Sequence, residues 1–413
     1  MPADSSAPIT RHTESGVRRR PADRRRSILD AAAHTFSARG YHSAKLDAIA
    51  REVGISVPAL YRHFPTKYAL FAETSRLLAD EIRTATADIS DAEGDPAETL
   101  GALLRALVGT TLSNRGSGLY RWQSQFLEPD DAAFVHDVAI AQHRRIRATI
   151  AALRAQRGLS ELSKAQADAV AAAAVSAAGS PSTHRAPLPA KQIEQVLVGN
   201  ALTMAALTPP EPAAHSADTT GAKIGLVPAS KREVILRQSI PLFAQHGFRE
   251  VSVDDIASSA GIPASGVYRH YSSKAAILET AFWRANDRMI TAIDDALAQS
   301  QLPTDAVSRL VHSYVELCSD STQLITVYMT ELSNVGDGQQ SALRRQQRRN
   351  IDEWASWVVQ ARADVTLAQA RFMVHAALNI AGDLTRIPHP VERNLLSALI
   401  IEFLLGATPS PDH

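Results

Sequence analysis

A single cysteine in 413 residues, Cys318, leaves no partner for an intramolecular disulfide and no thiolate set for a structural zinc. Aromatic residues are scarce at 5%, and no apolar run approaches the roughly 18 residues that a membrane-spanning helix requires. Net charge is also lacking, since 43 Lys plus Arg stand against 43 Asp plus Glu. The total therefore says nothing about nucleic acid, but the distribution does. Seven arginines lie between Arg11 and Arg26 against only Glu14 and Asp23, so positive charge is gathered in one arm. No hydrophobic segment follows those charges, as it would in a secretory signal. Catalytic signatures are missing too: there is no Gly-x-Ser-x-Gly elbow, no phosphate-cradling glycine loop and no framed carboxylate pair. These absences point away from an enzyme, a secreted scaffold or a membrane protein. They favour a cytoplasmic protein with no cofactor and no metal.

What is present is a repeat. Moving the sequence by 207 positions lays GISVPALYRHFPTK (54–67) on GIPASGVYRHYSSK (261–274) without a gap. The match runs from residue 24 to residue 72, and about 15 of those 49 positions are identical. A self-similar unit of this length is a domain written twice. Within each copy the apolar spacing is helical: Ile28, Ala32 and Phe36 form one stripe, ended by Arg39-Gly40, and Leu46, Ile49, Ala50 and Val53 form a second. Gly54 makes a sharp turn, Ser56 is positioned as an N-cap, and a third short helix carries Val57 to His63. Three short helices with a tight glycine turn before the last make a helix-turn-helix.

The Gly-Tyr and Gly-Phe pairs (40–41, 247–248) and the Asp-x-Ile-Ala cores (47–50, 254–257) resemble the TetR-type transcriptional regulators. So do Leu60-Tyr61-Arg62-His63-Phe64 with Lys67, and Val267-Tyr268-Arg269-His270-Tyr271 with Lys274. The resemblance implies an all-α fold of two tandem units. Each would be a three-helix helix-turn-helix DNA-binding domain followed by a helical ligand-binding and dimerisation body, the two packed as an intramolecular pseudo-dimer. The expected division is a disordered basic arm at 1–22, a first head at 23–70 and its body at 71–207. A Pro/Ala/Gly/Thr linker at 208–229, a second head at 230–277 and its body at 278–408 follow. Helices are expected near 97–114, 118–128, 130–156, 162–178 and 190–207.

A reading helix must offer short side chains to base edges and donors to flanking phosphates. The resemblance places Tyr61, His63 and Lys67, with Tyr268, His270 and Lys274, against the DNA backbone or adjacent bases; Arg62 and Arg269 add phosphate or guanine contacts. The competing reading for the tyrosines is core packing beneath the helix. The base-facing positions differ between copies: Val57, Pro58 and Ala59 in the first, Ala264, Ser265 and Gly266 in the second. Ser252 joins the DNA-facing set and caps its helix where the first copy has Lys45, while Pro263 replaces the cap Ser56. Each head has thus lost one cap, and the two are expected to read unlike half-sites of an imperfect inverted repeat.

In the bodies, Trp122, Gln125 and Phe126, with Tyr328 and Glu331 at matching places, have the aromatic-plus-polar pattern of small-molecule sites, or are simply core. On the helix from about Leu367 to Thr385, His375, Asn379 and Asp383 share one face at i, i+4, i+8. Hydrogen bonding between the bodies, ligand anchoring and metal binding are the three readings of that stripe, in falling order. Arg121-Trp122-Gln123 and Thr330-Glu331-Leu332-Ser333 resemble actinobacterial tandem regulators of lipid-uptake operons of the mammalian-cell-entry type. That resemblance implies a repressor released by a hydrophobic, lipid or sterol-like effector. The alternative is an effector-independent DNA-binding protein whose bodies only mimic a dimer, and a pair of chains presenting four heads stays open.

Overall fold

The computed structural model describes residues 21–90, 94–114, 126–211, 229–387 and 389–406. The expected basic arm before residue 21 and linker residues 212–228 lie outside them. Every regular element among the described residues is a helix, and none is long and apolar enough to cross a membrane.

The first head consists of α1 (Pro21–Arg39), α2 (Leu46–Val53) and α3 (Val57–His63). Its limits follow from local chemistry. α1 stops where Gly40 takes a left-handed φ of +76°, and α3 starts where Ser56 Oγ accepts the Ala59 N–H at 3.3 Å. Thr66 caps α4 (Lys67–Ala87), which leaves the head and enters the body. The body is completed by α5 (Pro96–Ser113), α6 (Pro129–Gln156), α7 (Lys164–Gly179) and α8 (Ala190–Ala205). Proline opens α5 and α6, and a Ser163–Gln166 capping box opens α7.

The second unit repeats the plan. Its head is α9 (Lys231–His246), α10 (Val253–Ser259) and α11 (Ala264–Tyr268), and its body follows from α12 (Lys274–Ala298). Then come α13 (Pro303–Asp320), α14 (Thr322–Glu331), α15 (Asp337–Ala361), α16 (Leu367–Leu384) and α17 (Arg393–Leu405). Ile28, Phe36, Ile49, Leu60 and Phe64 are sealed in the first head, and Ile235, Phe243, Ile256, Val267 and Tyr271 fill the same places in the second. Each such side chain contributes about 1.5–3 kcal/mol through burial.

The two bodies share one apolar core, in which α7 and α8 pack against α16 and α17. Small residues allow this: Ala169, Ala173, Ala174 and Ala177 of α7 are buried with Ala370, Ala376, Ala377 and Ala381 of α16, so the backbones approach closely. Inside this seam, Asn379 Nδ2 donates to Ser176 O and Oγ, both at 3.1 Å. Ser176 Oγ in turn donates to Asp383 Oδ2 at 2.7 Å. The His375 ring stacks on His184 with centroids 4.0 Å apart and planes at 7°. The stripe of α16 is therefore engaged across the body-to-body seam, where sequence alone had also allowed His375 and Asn379 to anchor a ligand.

Burial holds the His375 imidazole down, to about 4, with Asp352 pulling weakly the other way. An unfolded histidine takes its proton near pH 6.5, so between there and about pH 4 the unfolded chain binds a proton that the folded chain does not. Stability is full above pH 6.5 and falls as pH drops through that window, by roughly 3 kcal/mol at most. The thermal unfolding midpoint should decrease from pH 7 to pH 5, and His375→Phe should shrink the decrease. An equal decrease in the variant would place the acid sensitivity elsewhere.

Candidate nucleic-acid interface

The α2–α3 turn depends on Gly54, whose φ of +70° an L side chain rarely adopts; Gly261 (φ +64°) does the same in the second head. The turn delivers α3 with Leu60 pointing into the core and Pro58, Tyr61 and Arg62 pointing out. In the second head, Val267 points inward while Ser265, Tyr268 and Arg269 point out. Tyr61 is 47% exposed and Tyr268 57%, so neither packs beneath its helix. Val57, Ala59, His63, Ala264, Gly266 and His270 are half-buried at the flanks. Outward residues at i, i+3 and i+4 make one narrow face per head. Apolar Pro58 suits a thymine methyl, whereas Ser265 offers a hydroxyl.

The second reading helix is shorter and less firmly started. α11 spans five residues and Pro263 gives its N-terminus no side-chain bond, whereas Ser56 caps α3. One helix earlier the balance reverses. Lys45 leaves α2 without a side-chain cap, while Ser252 forms a capping box with Asp255. The Ser252 hydroxyl accepts from Asp255 N at 3.1 Å; it also donates to Asp255 Oδ2 at 2.6 Å, as does the Ser252 N–H at 2.7 Å, and these two donors hold the Asp255 carboxyl below its ordinary range. The hydroxyl expected to face DNA is thus tied into its own helix start.

Two cationic devices recur in both heads. Arg25 Nη1 donates to His63 O at 2.7 Å with its guanidinium 4.3 Å above Phe64; Arg232 Nη1 donates to His270 O at 2.8 Å and lies 4.5 Å above Tyr271. Both hold the C-terminal end of the reading helix. Sequence reasoning passed over this pair, although identity at positions 25 and 232 was the signal. The second device concerns the lysines expected at phosphates. Lys67 Nζ donates to His42 O at 3.0 Å and sits 5.0 Å from the Tyr41 ring centre. Lys274 Nζ donates to Phe248 O and Val251 O, both at 2.5 Å, and approaches Arg249 O at 3.4 Å. Burial, and the nearby Arg249 charge, lower both ammonium groups from their usual range. An ammonium has three donors, so Lys67 keeps donors for a phosphate while those of Lys274 point at its own loop.

The reading faces reach the bodies through α4 and α12. Tyr68 donates its hydroxyl proton to Asp131 Oδ2 at 2.7 Å and accepts the Glu128 N–H at 2.8 Å, and Trp283 Nε1 donates to Gln339 Oε1 at 3.0 Å. The expected ligand set separates in space. Tyr328 lines a cavity of about 100 Å³ in the second body, together with Asn286, Tyr314, Gln347, Asn350 and Trp354. Burial pushes its phenol up to about 12, so it stays protonated. Phe126 packs edge-on against His42 at 4.6 Å, at the joint of head and body. Glu331 is 9% exposed and accepts the Phe248 N–H at 3.2 Å. Neither Phe126, Glu331, His375 nor Asn379 lines that cavity. Trp122 and Gln125 fall outside the described residues.

The profile of bacterial regulatory proteins of the tetR family matches residues 28–74 and 235–281. The HTH-type transcriptional repressor KstR2 of Mycolicibacterium smegmatis is 26% identical over 110 residues, covering 27% of this chain and 54% of KstR2. The HTH-type transcriptional activator FasR of the same species is 48% identical over 54 residues, covering 13% of this chain and 25% of FasR. The chain thus spans about half the length of the first relative and a quarter of the second. A TetR-family regulator from Bordetella parapertussis is similar in structure at 23% identity, covering 43% of this chain and 96% of that one with a TM-score of 0.40.

Removing the helix-end arginines should cost stability, and removing the outward tyrosines should not. Arg232→Ala removes the charged donor to the solvent-accessible His270 carbonyl and is expected to destabilise its head by about 0.5–1.5 kcal/mol. Tyr61→Ala and Tyr268→Ala are expected within about 0.5 kcal/mol of the parent protein. Urea unfolding followed by circular dichroism separates the two cases. A large loss from either tyrosine variant would mean that the ring is structural.

Proposed function

We propose that this chain, a TetR-family regulator with two DNA-binding units in tandem, grips one operator with both heads at once and reads an unlike half-site with each. The observation that supports this is the pairing of a shared scaffold with an outward face that differs at one position. Arg25 and Arg232 hold both reading helices alike, yet Pro58 stands outward where the second head has Ser265. Two α-helical heads fixed to one paired body suit an imperfect inverted repeat, with half-sites about one helical turn apart or a multiple of it. Tyr61, Arg62, His63 and Lys67, with Tyr268, Arg269 and His270, supply the phosphate and base-edge contacts. Ser252 and Lys274 contribute by ordering the second head.

The regulation we propose is release by a small hydrophobic, lipid or sterol-like effector entering the second body. The cavity beside Tyr328 is apolar with a few polar groups, the composition of a ligand site. It is smaller than the roughly 300 Å³ at which such sites begin, so an effector must widen it. One wall is α14, through Ile325 and Tyr328, and that helix ends on Glu331, which holds the Phe248 N–H of the second head. A ligand that shifts α14 therefore shifts a head, and it regulates by as much as it prefers the shifted arrangement. The small size of the cavity favours the second reading, an effector-independent DNA binder. A thermal-shift screen of fatty acyl and sterol compounds separates them, because a ligand that raises the midpoint and also frees DNA supports release. The named relatives include a repressor and an activator, so the sign of regulation belongs to the same experiment.

Footprinting on the chain's own upstream region tests the two-head reading. The parent protein should protect two unlike half-sites. Arg62→Ala should weaken one and Arg269→Ala the other, each by about 1–3 kcal/mol. Lys67→Ala should lower affinity with little change in sequence preference and reduce the salt slope by about one charge. A strict palindrome weakened equally by either arginine variant would overturn the reading.

A further inference from the structure

Besides the seam between bodies, the two heads touch each other. Ser43, in the α1–α2 loop of the first head, accepts from Arg249 Nε of the second head at 3.0 Å. Its hydroxyl proton goes to Asn334 Oδ1 of the second body at 3.3 Å. Asn334 Nδ2 donates to Glu331 Oε2 at 2.6 Å, and Glu331 Oε1 accepts the Phe248 N–H. Phe248 and Arg249 are neighbours in sequence, so the circuit closes: second head, second body, first head, second head. Beside it His42 Nδ1 faces Glu250 Oε1 at 3.4 Å. A Cβ placed on Gly247 would lie 3.5 Å from the His42 ring and 3.6 Å from Glu331 Oε1, and one on Gly40 would lie 3.6 Å from Thr330 O. Those are ordinary contact distances, so what calls for glycine at both points is the positive φ, +76° at Gly40 and +81° at Gly247.

We infer that this loop-to-loop clamp sets the separation between the two reading heads, and so specifies how many base pairs lie between the half-sites. The inference rests on the two-head reading above. A body seam alone leaves each head free to pivot on α4 or α12. A closed circuit that ties head to head removes that freedom, because no head can tilt without opening a hydrogen bond. DNA is unforgiving of such tilts: one inserted base pair moves a half-site by about 3.4 Å and turns it by roughly 35° about the axis. Ser43, Arg249 and Asn334 are positioning residues in this scheme. None lies on the outward face formed by Pro58, Tyr61 and Arg62 or by Ser265, Tyr268 and Arg269.

The test is affinity selection by the full-length protein from a pool of duplexes with a random central region, reading the half-site separation in the recovered sequences. The parent protein should recover two unlike half-sites at one separation, and duplexes lengthened or shortened by one base pair should bind at least tenfold more weakly. Ser43→Ala opens the circuit at two bonds. It should recover the same half-sites at several separations, with the one-base-pair penalty reduced to threefold or less. Ser43→Thr retains the hydroxyl and should keep the narrow preference, which separates an open clamp from a poorly folded head. Recovery of one unchanged separation by Ser43→Ala would overturn the inference while leaving the two-head reading intact. Tighter binding of Ser43→Ala to every duplex would also overturn it, since the clamp would then oppose DNA binding. If the parent protein recovers only one kind of half-site, the two-head reading itself fails and the clamp falls with it.

Discussion

The buried amide of Asn379 in an alanine-lined seam is the constraint on which the architecture depends. A polar group in such a place is costly unless its partners are met; its Nδ2 donates to Ser176 of the other body and to Asp383 of its own helix, while its Oδ1 is buried without a protein partner. Sliding α7 along α16 by one turn would keep most alanine contacts, because alanines recur along both helices. It would leave Asn379 and Asp383 without Ser176. The apolar surface thus supplies the association and the polar triad supplies its register, a division of labour well attested for single polar residues in helical interfaces. Everything above the seam inherits its position from that register.

From the seam upward, the path to DNA is short and made of helices. α4 and α12 belong to both head and body, so each reading helix is attached to the seam through one rigid element and a few side chains such as Tyr68 and Trp283. The chemistry of the reading surface is then set by what the core leaves over. Leu60 and Val267 are taken by the head cores, Arg25 and Arg232 fix the helix ends, and of the three residues left outward the tyrosine and arginine recur while Pro58 is replaced by Ser265. The scaffold is duplicated and the outward face differs at one of those three positions.

Much of this was legible in the sequence because it rests on local rules. The repeat, the glycine turns and the Ser56 cap depend on residues within a few positions of one another, and the body helices expected at 97–114, 130–156, 162–178 and 190–207 are found at Pro96–Ser113, Pro129–Gln156, Lys164–Gly179 and Ala190–Ala205. Long-range pairings were not legible. Lys67 has the same chemistry whether it meets a phosphate or the His42 carbonyl, and nothing in its neighbours shows that Tyr41 and that carbonyl will fold over it. Glu331, at the place matching Gln125, looked like a pocket residue beside Tyr328, yet it stands one turn further on, at the end of the helix, where it meets the Phe248 N–H of a head loop. The stripe of His375, Asn379 and Asp383 was visible as a face, while what it faced depended on a helix some 200 residues away.

Joining two units in one chain changes what substitution can do. In a homodimer every change is made twice, and the two-fold axis carries it to both half-sites. Here the first head loses the cap at α2 and the second loses the cap at its reading helix, a pattern no symmetric pair can hold. The same freedom applies to the contact between heads. With the repeat offset of 207, Ser43 corresponds to Glu250 and His42 to Arg249, so Ser43–Arg249 and His42–Glu250 are the two copies of one pseudo-two-fold pairing, made by different side chains. A symmetric pair would have to make the same pairing twice. The head-to-head circuit therefore fills the two halves of a pseudo-two-fold pairing with different residues, which two identical chains cannot do.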